Sequence, residues 1–199
     1  MHAIEINSLT KNFKKSTAID NISLNVEEGE IFGFLGPNGA GKSTTMMILT
    51  TLLKPTSGNA SVYGFDVVTN PSKVRKNIGF VQQEIGIDEY LTARENLQFQ
   101  CKISQIPKDQ TQKRIEEVID LVELTEKQDE QSITFSGGMR KRLDIACGLI
   151  HSPKVLFLDE PTVGLDIQTR RKIWQYIRKI HKEFGMTIFV IHRQICVNG

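Results

Sequence analysis

Hydrophobic and polar positions along this chain follow two periods, and each period predicts one kind of element. Strict alternation over residues 3–9 and 22–26 predicts two half-buried strands. Short apolar runs without alternation are typical of strands buried on both faces, as in a parallel sheet covered by helices. Such runs occupy residues 31–35, 78–81, 154–158 and 187–191.

A helical period appears between these strands. Apolar residues recur three and four positions apart in three stretches, 115–122, 143–150 and 168–184. In the last stretch the shared face comprises Ile173, Ile177, Ile180 and Phe184.

Two further helices are predicted from local signals. One covers residues 43–53 and ends at the turn 54–58, and another begins at Ala93 because Thr92 and Glu95 have capping-box spacing. Strands and helices that alternate in this way predict an α/β protein. We expect a single domain over residues 1–199, with a mostly helical subdomain at about 84–150.

Composition narrows the class of protein. The 199 residues carry a net charge of +2, without the basic excess of a nucleic-acid-binding protein. No run approaches the ~20 apolar residues of a membrane span, so we expect a chain that is soluble by itself and meets a membrane only through a partner. Cys101, Cys147 and Cys196 lack metal-ligand or disulfide spacing, which favours a reducing cytosol.

A phosphate-binding loop follows the run 31–35. The segment fits GxxxxGK[ST] and continues into a threonine: Gly36, Pro37, Asn38, Gly39, Ala40, Gly41, Lys42, Ser43 and Thr44. Glycines let backbone N–H groups turn onto phosphate oxygens, and the helix that follows points its positive end at the same anion. Lys42 is expected on the β- and γ-phosphates and Ser43 on Mg²⁺. We therefore predict nucleotide binding.

Two carboxylates supply the second half of such a site. Asp159 and Glu160 follow the run 154–158, and α/β sheets bind ligands at the carboxyl ends of their strands. Asp159 is expected to orient Mg²⁺ through water, and Glu160 to polarise a water in line with the γ-phosphate. The Asp-Glu pair is a weak signal alone and a strong one in a chain that also carries a phosphate loop.

Ser136, Gly137 and Gly138 open a later helix and leave two interpretations. Two glycines at a helix N-terminus form an anion site. A single nucleotide does not require a second such site, so a helix capped by Ser136 is the plainer interpretation. The basic runs 140–142 and 170–172 are interpreted as solvated helix faces.

Three segments in this order resemble the nucleotide-binding domain of an ABC transporter: GPNGAGKST, FSGGMRKRLDIA and VLFLDEPTVGLD. With TTLLKPTSG, LTARENL and QTRRKIW, they are similar to the daunorubicin-resistance type of exporter ATP-binding subunit. The resemblance extends to about residue 190. It implies an ABC ATPase fold, in which a P-loop NTPase core with a mostly parallel sheet carries a small N-terminal antiparallel part and a helical signature subdomain.

The resemblance also implies roles outside these motifs. Phe13 matches the aromatic that stacks on adenine, although a core position at a strand end is the alternative. Gln83, with Gln82 as the second choice, matches the glutamine that senses Mg²⁺ and the γ-phosphate and faces the membrane subunit. Asp166 matches the D-loop at the dimer interface, or simply caps the next helix. His192 lies near the switch-histidine position.

Partners follow from the same resemblance. Two such domains dimerise head to tail, so that Ser136, Gly137 and Gly138 of one face the ATP on the phosphate loop of the other. ATP and Mg²⁺ are the implied cofactors, a separate transmembrane permease subunit is the implied partner, and no nucleic acid is expected. The chain would work at the cytoplasmic face of the membrane, hydrolysing ATP to power transport, with export the expected direction.

Two other functions are weighed against transport. A soluble ABC-type ATPase acting on DNA or ribosomes is the first alternative. The second is a non-catalytic nucleotide-binding protein, against which Glu160 beside Asp159 argues.

The C-terminal end departs from the family pattern. His192 follows the last strand about one position early, and because strand side chains alternate between faces, this shift can turn the imidazole away from the γ-phosphate. Residues 193–199 do not resemble the Glu-rich helix that follows in the family. We expect a truncated C-terminal part, from a reading-frame slip near residue 191 or a short variant. ATP binding would survive, hydrolysis would be weak, and an apolar sheet or helix face would be exposed.

Overall fold

The computed structural model describes residues 1–14 and 16–192. Strands within these residues are β1 (His2–Phe13), β2 (Ser16–Glu27), β3 (Ile31–Leu35), β4 (Ser57–Val62), β5 (Phe65–Asp66), β6 (Ile78–Val81), β7 (Val155–Asp159) and β8 (Thr187–His192). The α-helices are α1 (Lys42–Leu49), α2 (Pro71–Asn77), α3 (Ala93–Ile103), α4 (Lys108–Leu121), α5 (Gly137–Leu149) and α6 (Ile167–Phe184).

The chain divides into two compact units. The first unit holds residues 1–80, 154–160 and those from 185 onward, and the second holds 81–153 and 161–184. The helices expected at about 84–150 belong to the second unit, and the extent of a subdomain at those bounds stays a prediction.

A four-stranded sheet in the order β3-β8-β7-β6 organises the first unit. Strand β8 runs parallel to both β3 and β7. Leu35 lies opposite His192, and Asp159 lies opposite Ile191. The carboxyl ends of β3 and β7 therefore flank the end of β8, although more than a hundred residues separate them in sequence.

Aromatic packing explains why β8 is central. The ring of Phe189 lies 5.4 Å from that of Phe32, 5.6 Å from Phe34 and 5.5 Å from Phe157, centroid to centroid. Such pairs are worth about 0.5–1.5 kcal/mol each beyond the burial of their area. Phe189 thereby ties both neighbouring strands to β8, in one buried cluster with residues of α1.

The face of β3 that carries Ile31 and Leu35 is partly exposed to solvent. Ile31 and Leu35 are 37% and 46% exposed, because strand residues alternate and β3 lies at the sheet edge.

A second, antiparallel sheet completes the first unit in the order β2-β1-β4-β5. Strands β4 and β5 and helix α2 were not predicted, and the turn at 54–58 is wrong in part, since Ser57 begins β4 opposite Thr10. Strand β4 reads SGNASV, whose small polar residues carry no strand signal. It forms because β1 pairs with it. Gly58 is required there, because its φ is +75° and a Cβ would lie 2.2 Å from the Ser8 carbonyl oxygen.

Helix α1 ends earlier than the predicted residue 53. Thr51 adopts φ +65°, outside the helical range. The amides of Leu52 and Leu53 then both donate to the Met47 carbonyl, which closes the helix.

The second unit is helical. The capping box of α3 is confirmed, since the Thr92 hydroxyl accepts from the Glu95 amide and the Glu95 carboxylate accepts from the Thr92 amide. The apolar stripe of α4 is buried as predicted, in one cluster with residues of α3 and α5. Within residues 1–14 and 16–192, no helix combines the length and apolar character that a bilayer span requires.

Helix α6 confirms most of its predicted stripe. Ile173, Ile177 and Ile180 are buried, but Phe184 is 48% exposed, so its assignment to the buried face is wrong. Phe184 is the last helical residue, and the chain turns at Gly185 with φ +58°, so no further turn covers the ring.

Candidate nucleotide-binding site

The phosphate loop joins β3 to α1 through left-handed backbone. Gly39 has φ +81° and Gly41 has φ +82°. At Gly41 a Cβ would lie 2.2 Å from the Ala18 carbonyl oxygen, so only glycine fits. The Ala40 amide donates to the Pro37 carbonyl at 3.3 Å and closes the turn. Backbone conformation and sterics thus account for Gly39 and Gly41.

Lys42 is the cation of this loop. Its side chain is 6% exposed, and its ammonium donates to the carbonyl oxygens of Gly36 at 2.7 Å and Pro37 at 2.8 Å. Both of these acceptors are neutral carbonyl oxygens of the loop itself. The loop is therefore built to attract an anion.

The N-terminus of α1 adds to this field. Gly41 provides no side-chain cap, and the first turn contains no acidic residue. Uncapped N–H groups and the helix dipole both favour a negative ligand at this end. Further along, the Thr45 hydroxyl donates to the Gly41 carbonyl at 3.0 Å, whereas Ser43 is exposed.

Asp159 and Glu160 lie at the end of β7. The preceding strand is fully buried, Asp159 is half-buried and Glu160 is 5% exposed. Glu160 has φ +47°, which costs a residue other than glycine about 1–2 kcal/mol. Its amide donates to the Ile191 carbonyl at 3.1 Å. The end of β8 thus holds Glu160 in a conformation that the chain would otherwise avoid.

His192 is the last described residue of β8. By alternation it shares a face with Ile188 and Val190, while Phe189 and Ile191 face the cluster that contains α1 residues. The imidazole position is therefore on the face opposite the helix that follows the phosphate loop. The one-residue shift of His192 from the family position stays a prediction.

Phe13 lies at the end of β1 and is 48% exposed, so the alternative of a core position is wrong. The Lys11 ammonium lies 5.2 Å from the centre of its ring and donates to the Lys54 carbonyl at 2.8 Å. An aromatic face supported by a cation and exposed to solvent is suited to stacking.

The glycine pair lies in the second unit. Ser136 caps α5 by accepting from the Met139 amide at 3.3 Å, so its capping role is confirmed. A Cβ on Gly138 would lie 2.5 Å from Cγ2 of Thr169, and one on Gly137 would lie 3.4 Å from Leu165. Gly138 therefore allows a close approach of α5 to the start of α6.

Asp166 caps α6, as the plainer interpretation predicts. Its carboxylate accepts from the Thr169 amide at 3.0 Å and from the Thr169 hydroxyl. These bonds lower the pKa of the Asp166 carboxyl. The location of Asp166 at a dimer interface stays a prediction.

Gln83 and Gln82 follow β6 with exposed side chains. Their backbone is tied down, since the Lys141 ammonium donates to the Gln82 carbonyl at 2.8 Å and the Gln83 carbonyl at 3.4 Å. Lys141 carries no sequence signal for this role beyond its place three residues after Gly138.

The interpretation of residues 140–142 as a solvated face is wrong. Lys141 is 4% exposed, and Arg142 donates to the Val122 carbonyl at 2.9 Å and the Tyr176 hydroxyl at 2.8 Å. Helix α5 is the central helix of its cluster, so side chains leave it in all directions toward protein. The run 170–172 is exposed, as predicted.

The predicted site residues thus fall into two groups. Phe13, the phosphate loop, Asp159, Glu160 and His192 belong to the first unit. Gln83, the glycine pair with Ser136, and Asp166 belong to the second. The topology of the parallel sheet brings the phosphate loop and the two carboxylates to neighbouring strand ends.

The donor set fits Mg²⁺. Ser43 offers a hydroxyl in the first turn of α1, and Asp159 offers a carboxylate at the end of β7. A few hard oxygen donors, completed by phosphate oxygens and water, are the ligands this ion prefers.

Comparison with known proteins identifies the family. The sequence profile of the ABC transporter family matches residues 19–163, and the chain belongs to that family. It is 43% identical over 188 residues to the daunorubicin/doxorubicin resistance ATP-binding protein DrrA of Streptomyces peucetius, covering 94% of this chain and 57% of that protein. It is 40% identical to the linearmycin resistance ATP-binding protein LnrL of Bacillus subtilis, covering 93% and 59%. The chain therefore spans a little over half the length of these relatives.

Solved structures agree. Against cbiO1 of Clostridium perfringens, part of the ABC transporter complex cbiONQ, the TM-score is 0.90 at 29% identity, covering 98% of this chain and 79% of that one. Against the ATP-binding cassette MJ0796, a dimer bound to ADP and phosphate, it is 0.82 at 31% identity, covering 96% and 88%. The α/β fold and the classification as an ABC-type ATP-binding protein are confirmed.

Proposed function

We propose that the chain is the ATP-hydrolysing subunit of an exporter and acts on a separate membrane-spanning subunit. The register of β8 is the observation that carries the proposal. It sets the phosphate loop after Leu35 and the carboxylates of Asp159 and Glu160 at strand ends that are roughly 10 Å apart across β8. A triphosphate with one metal ion spans such a distance.

Each group has a distinct role in this proposal. Lys42 exchanges its loop carbonyls for β- and γ-phosphate oxygens, while the N-terminus of α1 receives the same charge. Ser43 and Asp159 would hold Mg²⁺, which would supply positive charge to offset that of the phosphate oxygens. Glu160 orients and polarises the attacking water. Phe13 stacks on the adenine.

The second unit supplies the groups that act between subunits. Ser136, Gly137 and Gly138 open α5, whose first turn contains no acidic residue. In a head-to-tail dimer they would meet the γ-phosphate on the partner's phosphate loop. Closure with ATP and opening after hydrolysis would then be a population shift driven by the nucleotide. Asp166 would contact the partner at the dimer interface, and Gln83 would link the state of the nucleotide to the membrane subunit.

The names of the relatives support export and a membrane partner. DrrA and LnrL are described as resistance ATP-binding proteins for daunorubicin/doxorubicin and linearmycin. We therefore place this chain at the cytoplasmic face of a membrane, bound through a permease subunit. Hydrolysis is expected to be weak, because the register of β8 puts His192 on the face away from the α1 cluster.

Two variants test the division of roles. Lys42→Ala should abolish tight ATP binding, because it removes the buried cation of the loop. Glu160→Gln should keep binding and lose about 10²–10⁴-fold in the rate of hydrolysis. Lys54→Ala, at an exposed lysine of the same unit, is the matched control and should leave both unchanged. Normal turnover by Glu160→Gln would overturn the assignment.

The membrane partner is tested by affinity purification from detergent-solubilised cells. Recovery of one polytopic membrane protein in a stoichiometric ratio is the expected result. Recovery with ribosomes or DNA, and none with membrane proteins, would instead support a soluble ABC-type ATPase.

A further inference from the structure

A buried ion pair joins two residues of α5, one turn apart. The Lys141 ammonium lies 3.1 Å from the Asp144 carboxylate, and the two side chains are only 4% and 9% exposed. Buried pairs of this kind contribute little net stability, because desolvation offsets the attraction between the charges. The pair therefore calls for an explanation other than stability.

Both members bind the backbone of one exposed segment, residues 82–88. Lys141 donates to the carbonyl oxygens of Gln82 at 2.8 Å and Gln83 at 3.4 Å. Asp144 accepts from the Gly86 amide at 3.2 Å. The charged groups thus hold three backbone positions of the segment, all from the helix that Ser136 caps.

The far end of the segment is held independently. The buried side chain of Asn96 accepts from the Asp88 amide at 2.9 Å and donates to the Asp88 carbonyl at 2.9 Å. With the backbone held at both ends, only the side chains between them, Gln83 among them, reach solvent. The backbone of the segment is thus held by hydrogen bonds at both ends, while most of its side chains are exposed.

The electrostatics of the pair agree with a holding role. Burial raises the pKa of the Asp144 carboxyl, and Lys141 and the Gly86 amide oppose that rise. Lys141 thus favours the charged form of Asp144, and a charged group makes the stronger hydrogen bond to backbone.

We propose that Lys141 and Asp144 are positioning residues that fix the backbone of residues 82–86 to α5, so that Gln83 and the glycines 137 and 138 move as one piece. The mechanical part concerns contacts inside the second unit. Its catalytic consequence rests on the proposed ATPase function, since Gln83 acts in hydrolysis only there.

Hydrogen exchange tests the mechanical part. The variant Lys141→Met/Asp144→Leu replaces the pair with apolar groups, which proteins commonly tolerate. The amides of residues 83–87 should then exchange roughly tenfold faster, as expected for lost charged hydrogen bonds. The matched control is Lys127→Met/Glu130→Leu, which removes an exposed Lys–Glu pair of the same spacing and should leave these amides unchanged. Unchanged protection of residues 83–87 in the first variant would overturn the proposal.

Kinetics separate positioning from mere stability. The Met/Leu variant should keep its KM for ATP within about twofold and lose kcat several-fold, since no phosphate contact is touched. Lys141→Gln/Asp144→Asn retains neutral donors and acceptors at both positions and should regain most of the protection and of kcat. Equal loss in both double variants would show a packing role only, against the proposal.

Two further results complete the test. If the Met/Leu variant does not fold, Lys141→Met alone serves, because it removes the bonds to the Gln82 and Gln83 carbonyls, and faster exchange at residues 83–87 is again expected. If the unmodified chain shows no ATP hydrolysis, the proposed function fails. The exchange result then still tests whether Lys141 and Asp144 hold the backbone of residues 82–86.

Discussion

The contact between Gly138 and Thr169 allows a prediction with a worked magnitude. A Cβ at position 138 would lie 2.5 Å from Cγ2 of Thr169, whereas carbon atoms pack best at about 3.5–4.0 Å. Overpacking of this kind costs about 1–3 kcal/mol. Alanine in a helix gains up to ~1 kcal/mol over glycine, so Gly138→Ala should destabilise the protein by roughly 0–3 kcal/mol.

The neighbouring glycine is the control. At Gly137 the Cβ would lie 3.4 Å from Leu165, an ordinary contact, so Gly137→Ala should be neutral or slightly stabilising. The difference between the two alanine variants is then about 1–3 kcal/mol.

Thr169→Ser provides the rescue. It removes the one methyl group that clashes and keeps the hydroxyl that binds Asp166. The next nearest atoms of Thr169 are 3.8 Å from the added Cβ, which is ordinary contact. Gly138→Ala/Thr169→Ser should therefore regain about 1–3 kcal/mol relative to the sum of the single changes.

Urea unfolding gives the measurement. Trp174 is the chain's single tryptophan and lies on α6 in the same unit, so its fluorescence reports on this contact. A coupling below ~0.5 kcal/mol would refute the reasoning, since independent sites add within that range. ATPase rates separate two reasons for glycine at position 138, the close approach to Thr169 and a contact with the partner's nucleotide. If the second also holds, Gly138→Ala/Thr169→Ser regains stability but not turnover.

Three other outcomes are expected. Gly137→Asp should keep ATP binding by the monomer but abolish ATP-dependent dimerisation in a Glu160→Gln background, because a carboxylate would meet the partner's γ-phosphate; a stable dimer in gel filtration would contradict the placement. Phe13→Ala should raise the KM for ATP and leave the melting temperature unchanged, since the ring is exposed, whereas Phe13→Tyr should preserve both. Burial raises the pKa of Cys101, and burial together with the Asp144 carboxylate raises the pKa of Cys147. At pH 8 each thiol should therefore react with iodoacetamide less than a tenth as fast in the folded protein as in the unfolded protein. Mass spectrometry of each labelled site would measure this difference. Equal labelling in both states would show that neither thiol is protected.

Local signals predicted several features of this protein closely. Thr92 and Glu95 set the start of α3, because a capping box requires only four consecutive residues. Strand β6 has the predicted bounds, since an apolar run between turns admits few alternatives. Ser136 and Asp166 cap the helices that follow them, again through hydrogen bonds to the amide three residues later.

Features that depend on distant partners were missed or misjudged. Strand β4 has only two apolar residues, Ala60 and Val62, and exists because β1 offers it a pairing edge. The basic run 140–142 was predicted to be solvated because charged residues normally lie at the surface. Lys141 is instead buried between the Asp144 carboxylate and the Gln82 carbonyl. The residue type alone reveals neither this burial nor these partners.

The residues of the candidate site were therefore named by the sequence, through the spacing of the phosphate loop, the Asp-Glu pair and the family resemblance. Only the tertiary structure decided how they meet. Parallel pairing through β8 brings Leu35 and Asp159 to neighbouring strand ends, and the same register turns His192 to the opposite face from Ile191. The physical reason is that strand order and register are set by packing across the sheet, here around Phe189, and such contacts are non-local in sequence.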